Sequence, residues 1–232
     1  MKWEQEEIKM LFSILEQVRA DIEPLPGKRV LVLCSAAGDV AFYLSARIGQ
    51  GEIIGLELGD ELLEYARERT RQRRLEKVVR FQKAEMERIP FPDETFDALV
   101  SEFIVFPTPT PTQIGQPEMA RILKPGGKMI LTDVIVTKPI PQGVRDSFQS
   151  IGLDYLCDAT TEDFHNEIIE AGLTNVDVLD FTPVVRRVWE QRRAKDLWSE
   201  HRKGYGFLLD DPEFKLGNAV FYIYARGKKA AG

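Results

Sequence analysis

Hydrophobic positions follow two different rhythms along this chain. Ile8, Leu11, Phe12, Leu15, Val18 and Ile22 recur at steps of three and four, which draws one apolar stripe on a helix. Glu23-Pro24-Leu25-Pro26-Gly27 then stops it. Beyond Gly27, strand-like apolar runs at Arg29–Cys34, Glu52–Glu57, Val78–Gln82, Phe96–Ser101 and Lys128–Val136 take turns with helix-like stretches. The helices are expected at Asp39–Ile48, Asp60–Arg73 and Thr112–Leu123. Short hydrophobic strands separated by amphipathic helices predict crossover units and a mainly parallel α/β sheet covered on both faces. Thr137–Asp158 is rich in proline, glycine and polar residues and reads as a long connection. Thr161–Ala171 reads as a helix, capped by Thr160 or Thr161 and stopped by Gly172. Asn175–Phe181 alternates like a strand, Val184–Lys203 is a second helical stretch, and Ala219–Ala225 is a last strand. The tail Gly227–Gly232 is expected to fray.

Composition narrows the setting. The 232 residues carry 31 basic and 37 acidic side chains, a net charge of −6, which lacks the positive footprint of a general nucleic-acid binder. Two cysteines, Cys34 and Cys157, support neither a disulfide framework nor a zinc site by local spacing. No apolar run reaches the roughly 18 residues of a membrane span. Glu4, Glu6 and Glu7 give the N-terminus the wrong pattern for a signal peptide. The expectation is a cytoplasmic protein.

The chemistry concentrates where strands end. In RVLVLCSAAGDVA, Arg29 to Ala41, an apolar strand runs into small residues, and Asp39 opens a helix. Small residues at such a turn let backbone approach a ligand closely. Glu57 ends the next strand, nineteen residues beyond Gly38, where an acid can accept hydrogen bonds from both ribose hydroxyls of a nucleoside cofactor. Either signal alone reads as readily as a tight turn and a solvated strand end; their spacing is what favours a site.

Two further blocks sharpen this. FQKAEMERIPFPDETFDALVSEF spans Phe81–Phe103, and EMARILKPGGKMILTDVIV spans Glu118–Val136. With these blocks the chain resembles the class I S-adenosylmethionine-dependent methyltransferases, in the branch of the ubiquinone/menaquinone-biosynthesis and arsenite methyltransferases. The resemblance is clear over Arg29–Val136 and weaker over Thr161–Phe181 and Ala219–Lys228.

It implies a Rossmann-like seven-stranded, mostly parallel sheet with helices on both faces and an antiparallel last strand. It also implies a single domain over 1–232, with a cofactor half at 28–136 and a substrate-side connection and lid at 137–160 and 182–217. The implied cofactor is S-adenosyl-L-methionine. Cys34, Ser35, Ala36 and Gly38 would line the turn beneath its methionine part, Glu57 would clamp the ribose, and Leu58 would pack on the adenine. Glu85 would meet the adenine amino group, flanked by Ala84 and Met86. Ser101, Glu102 and Phe103 would stand where sulfonium and substrate meet. The LKPGGKM hairpin would be structural, stopping a helix and reversing the chain. The family loop carries an acid in the strand and glycines at alternate positions; here Val32 replaces the acid, Cys34 and Ala36 replace two glycines, and Gly38 remains.

Methyl transfer from a sulfonium is a direct displacement that needs alignment more than acid–base chemistry, and it requires no metal. The catalytic residues are therefore open. Asp133, Tyr155 and His165 are candidates, each with a plainer reading as a buried, packed or surface group. Cys157 reads as a small buried hydrophobe, and so few thiols disfavour an arsenite-type substrate. In Thr182–Gly217, Trp189, Trp198, Tyr205, Phe207 and Phe214 interleave with basic residues; the aromatics would roof an apolar pocket or dock a helix on the core. The expected function is methylation of a small organic substrate, with neither nucleic-acid nor membrane-spanning partners. The alternative is a catalytically inactive module of the same fold that binds the nucleoside cofactor. A nicotinamide oxidoreductase would want glycines at the first two loop positions and leaves the Pro90–Asp97 and Lys124–Lys128 blocks without a reason. Substrate identity and oligomeric state are left open.

Overall fold

A computed structural model of the chain describes residues 15–33, 38–85, 88–101, 115–150, 157–183 and 219–231. Helix α1 (residues 15–22) leads into β1 (Arg29–Leu33), α2 (Asp39–Ser45), β2 (Glu52–Glu57), α3 (Asp60–Arg73), β3 (Val79–Lys83) and β4 (Phe96–Ser101). The chain continues through α4 (Gly115–Ile122), β5 (Leu123–Val136), α5 (Gln142–Ser150), β6 (Cys157–Asp158), α6 (Thr161–Glu170), β7 (Leu173–Asp180) and β8 (Val220–Lys229). One eight-stranded sheet results. Seven strands run in the order β3-β2-β1-β4-β5-β8-β7, and the two-residue β6 pairs beside β5. Pairs β1–β2, β2–β3, β1–β4 and β4–β5 are parallel, while β8 lies antiparallel between β5 and β7.

The central strands are apolar on both sides because both sides are covered. Val30 and Val32 of β1 join Ile53, Ala98 and Val100 under α1, α2 and α3. Leu31 and Leu33 point the other way, joining Ile54, Leu56 and Leu99 under α4 and α6. A parallel strand buried on two faces reads as a near-continuous hydrophobic run, and RVLVL and EIIGLE have that form.

Three stretches depart from the sequence expectation. Thr137–Asp158 contains helix α5 and strand β6 and is no plain connection. Pro139 and Pro141 ahead of α5 are an N-terminal signal as much as a loop signal. The Pro141 carbonyl accepts from the N–H of Val144 and Arg145, and Val144 is buried. The LKPGGKM segment forms no hairpin: Leu123 pairs with Phe96 and Lys128 with Ala98, so 124–127 loop out between two rungs of β5. Gly126 takes φ +74° there, and a Cβ on Gly127 would lie 2.8 Å from the Lys124 carbonyl. The tail is paired through Lys229, because β8 has β5 on one side and β7 on the other.

Two local devices lend themselves to measurement. Thr160 caps α6 with a capping box: its side chain accepts from the Asp163 N–H, and Asp163 accepts from the Thr160 N–H. Thr160→Ala is expected to cost about 1 kcal/mol, read as a thermal midpoint lower by a few degrees. At the foot of β4, Asp97 accepts from the Arg29 N–H at 2.9 Å, Lys124 Nζ at 3.0 Å and Lys28 Nζ at 3.4 Å. Burial pushes this carboxyl up, and the Arg29 amide and the two ammonium groups outweigh it and hold it below its ordinary value of 3.8. A depressed folded-state value stabilises the protein above the unfolded value and is lost as pH falls through the folded one. Asp97→Asn should therefore unfold more easily in urea at neutral pH and flatten the wild-type decline below about pH 4.

Candidate functional site

Strand order reverses direction between β1 and β4, so a crevice opens at the carboxyl ends of these strands, where open α/β sheets bind ligands. Register decides which residues meet there. Leu33 pairs with Leu56 on one side and Ser101 on the other, and Glu57 pairs with Lys83. The Ala84 N–H donates to the Glu57 carbonyl at 3.3 Å, which carries the 84–85 segment past the end of β2. Gly38, Glu57, Leu58, Ala84, Glu85 and Ser101 thus assemble along one edge although they span 64 residues of sequence (101 − 38 + 1 = 64). Cys34, Ser35, Ala36, Met86, Phe103 and Tyr155 lie outside the described residues.

Gly38 begins α2 with φ +84°, a left-handed conformation that side chains disfavour. An added Cβ would stand 2.7 Å from Phe81 Cζ and 2.9 Å from Phe42 Cε2. Those rings meet edge-on with centroids 5.8 Å apart. Arg69 and Arg73 of α3 lie over the Phe42 ring, and Arg69 also bonds Asp39 at 2.7 Å. This buttress beneath the loop escaped the sequence reading, since its members come from α2, α3 and β3 without a shared motif.

Glu57 is 8% exposed. Its Oε1 accepts from the N–H of Leu58 at 2.9 Å and of Gly59 at 3.0 Å, so the carboxylate is held at the mouth of the crevice by its own backbone. Leu58 beside it is 54% exposed, an apolar side chain facing out. Ser101 is wholly buried, and its Oγ has no hydrogen-bond partner among the described residues. Its carbonyl accepts from the Thr132 hydroxyl at 3.2 Å, which ties the end of β4 to β5.

Of the other candidates, Asp133 is buried in β5 opposite Ile223 of β8. His165 sits on α6, and its Nε2 lies 3.2 Å from the Val176 carbonyl of β7. A carbonyl only accepts, so that nitrogen carries the proton and serves to dock α6 on β7. β7 is the strand at the far edge of the sheet from β3. Among the described residues no group of three or more His, Cys, Asp or Glu is placed to hold a metal ion, and no helix is long and apolar enough to cross a membrane.

The residues fit the nucleoside half of S-adenosylmethionine: a held carboxylate for a diol, an exposed leucine beside it, and a glycine turn whose cradle any Cβ would fill. Fold and site together are similar to those of class I methyltransferase domains. Residues 30–127 match the family described as a methyltransferase domain. The chain is 36% identical over 131 residues to a 2-phytyl-1,4-naphtoquinone methyltransferase of Synechococcus elongatus, an alignment covering 56% of this chain and 54% of that protein. It is 28% identical over 216 residues to methyltransferase GfsG of Streptomyces halstedii, covering 86% and 75% of the two. The crystal structure of the [4+2]-cyclase SpnF superposes with a TM-score of 0.73 at 23% identity, over 95% of this chain and 82% of that one. Over its first strands the chain is thus similar to methyltransferase domains, and its relatives carry that name. It spans about half the length of the quinone methyltransferase it matches.

Proposed function

We propose that this protein is an S-adenosylmethionine-dependent methyltransferase acting on a small organic substrate. The observation that carries the reading is the Glu57 carboxylate, fixed by two backbone N–H groups at the switch-point crevice with exposed Leu58 beside it. When bound, the cofactor supplies an activated methyl group together with its own leaving group. The chain's part is to hold and align. Glu57 accepts hydrogen bonds from the ribose hydroxyls, Leu58 and Ala84 border the adenine, and Glu85 accepts from the adenine amino group. Gly38 gives the ligand access to backbone, and Ser101 at the end of β4 faces the reacting end. Residues 34–37 complete the turn in sequence, with Cys34 and Ala36 in place of the usual glycines.

The naming of relatives as quinone methyltransferases supports a small, partly apolar substrate. A second reading, a cofactor-binding module without transfer, draws on the altered loop, and on a fold that also houses a protein named as a cyclase. Calorimetry with S-adenosylhomocysteine separates these from any other fold use. Micromolar binding is the expected result, and absence of binding at millimolar ligand overturns both readings. Mass spectrometry for a gain of one methyl group across a panel of small phenols, carboxylates and amines then distinguishes the enzyme from the silent module.

A further inference from the structure

Resting on that reading, we propose that Arg69 is a positioning residue of the cofactor site. It ties the glycine turn to the Glu57 end and so sets the spacing between the two halves of the site. Those halves start neighbouring helices. Gly38 is the N-cap of α2, and Gly59, two residues past Glu57, is the N-cap of α3. Strands β1 and β2 run parallel with Leu33 beside Leu56, so both turns leave the same end of the sheet side by side. A long ligand that meets both turns binds well only when their separation is held close to one value.

The glycine turn needs outside support. Gly38 has no side chain with which to cap α2, and α2 is only seven residues long, so tertiary contacts must hold it. Asp39, its first residue, supplies one of them: its Oδ1 accepts from Arg69 Nη2 of α3 at 2.7 Å. Asp39 opens α2, whereas Arg69 lies about three turns into α3, so the link opposes sliding of one helix along the other. Two rings fix the guanidinium, with Phe42 5.1 Å and Tyr65 5.6 Å from it. Phe42 in turn stands with Phe81 against the open side of Gly38.

The pairing pattern on α3 marks Arg69 out. Arg67 and Arg71 pair with Glu64 and Glu68, each three residues earlier on the same helix and exposed. Bonds within one helix fix nothing beyond it. Arg69 has Tyr65 and Ala66 at the corresponding positions and bonds instead to a residue 30 positions away. Its side chain is 16% exposed and that of Asp39 36%. An ion pair open to water to that extent contributes little to folding. What it supplies is a fixed relation between the start of α2 and the body of α3. Its loss therefore shows in the ligand before it shows in stability.

The test compares two ligands by calorimetry. S-adenosylhomocysteine reaches both turns, and methylthioadenosine, which lacks the amino-acid end, reaches only the Glu57 half. Arg69→Met keeps a long side chain between the rings and removes the donors; Asp39→Asn keeps the shape and removes the charge. Each should weaken S-adenosylhomocysteine about tenfold, within the usual span of coupling between linked sites. Each should leave methylthioadenosine within about twofold of wild type, with thermal midpoints close to wild type. The double variant should lose no more than about the larger single loss, because both changes remove one bond. Unchanged affinity for S-adenosylhomocysteine in either variant overturns the proposal. So do equal losses for the two ligands, which mark general loosening, and single losses that multiply in the double variant. Wild-type protein that binds neither ligand overturns the cofactor reading and this proposal with it, whereas wild-type binding with unshifted variants overturns the brace alone.

Discussion

Glu57→Ala should remove measurable binding of S-adenosylhomocysteine, a loss of more than about a hundredfold. The size follows from two hydrogen bonds to a charged acceptor, each worth about 1.5–3 kcal/mol, lost together. The side chain is not free to be replaced by a neighbour. Its Oε1 is fixed by the Leu58 and Gly59 N–H groups, and it sits at the last residue of β2, where the strand register delivers it to the crevice. Glu57→Gln keeps an oxygen for those two N–H groups and gives up the charge. It should keep the wild-type thermal midpoint and still lose most of the affinity. That split separates a ligand-binding role from a local cap on α3. Calorimetric affinity for Glu57→Ala within about threefold of wild type would remove Glu57 from the site.

A comparable effect on stability is expected from Gly38→Val. The backbone there has φ +84°, where a β-branched residue is strained by about 1–2 kcal/mol. The new Cβ would also press on Phe81 Cζ at 2.7 Å and Phe42 Cε2 at 2.9 Å. Neither ring turns away at little cost: Phe81 is buried, and Phe42 is roofed by Arg69 and Arg73. Overpacking adds about 1–3 kcal/mol, so a total near 3 kcal/mol and a midpoint lower by roughly 10 °C are expected. Thermal denaturation followed by circular dichroism checks this. A midpoint within a degree or two of wild type would mean that the turn is softer than its geometry. Gly38→Ala should show the same direction at reduced size.

Much of residues 29–101 could be read directly. The bounds expected for β2, α3 and β4 are those observed, Glu52–Glu57, Asp60–Arg73 and Phe96–Ser101. Each has a strong local cause: a run of apolar residues buried on both faces, or an acidic first turn and a basic last turn on α3. The features that escaped have weak local causes. Helix α5 begins behind two prolines and carries a glycine at its second position, so its opening resembles a loop, and burial of Val144 is what commits it. Lys228 and Lys229 carry no strand signal and are strand because β5 and β7 flank Lys228 and β7 pairs with Lys229. The Gly-Gly bulge in β5 reads as a turn in isolation, and becomes an outward loop only because Phe96 and Ala98 hold both of its ends.

The site divides in the same way. A glycine after an apolar strand and an acid at the end of the next strand are signals within 20 residues of one another (57 − 38 + 1 = 20), and the sequence carries them unaided. By itself the sequence determined the α/β class and placed Gly38 and Glu57 at the ends of neighbouring strands, because strand ends and two-sided burial are written in local composition. Only the tertiary structure decided which strands are neighbours, that Phe42, Phe81 and Arg69 brace Gly38, and that His165 belongs to the α6–β7 interface. Those outcomes depend on register between segments distant in the chain, and register is set by the packing of whole faces, which no local pattern contains.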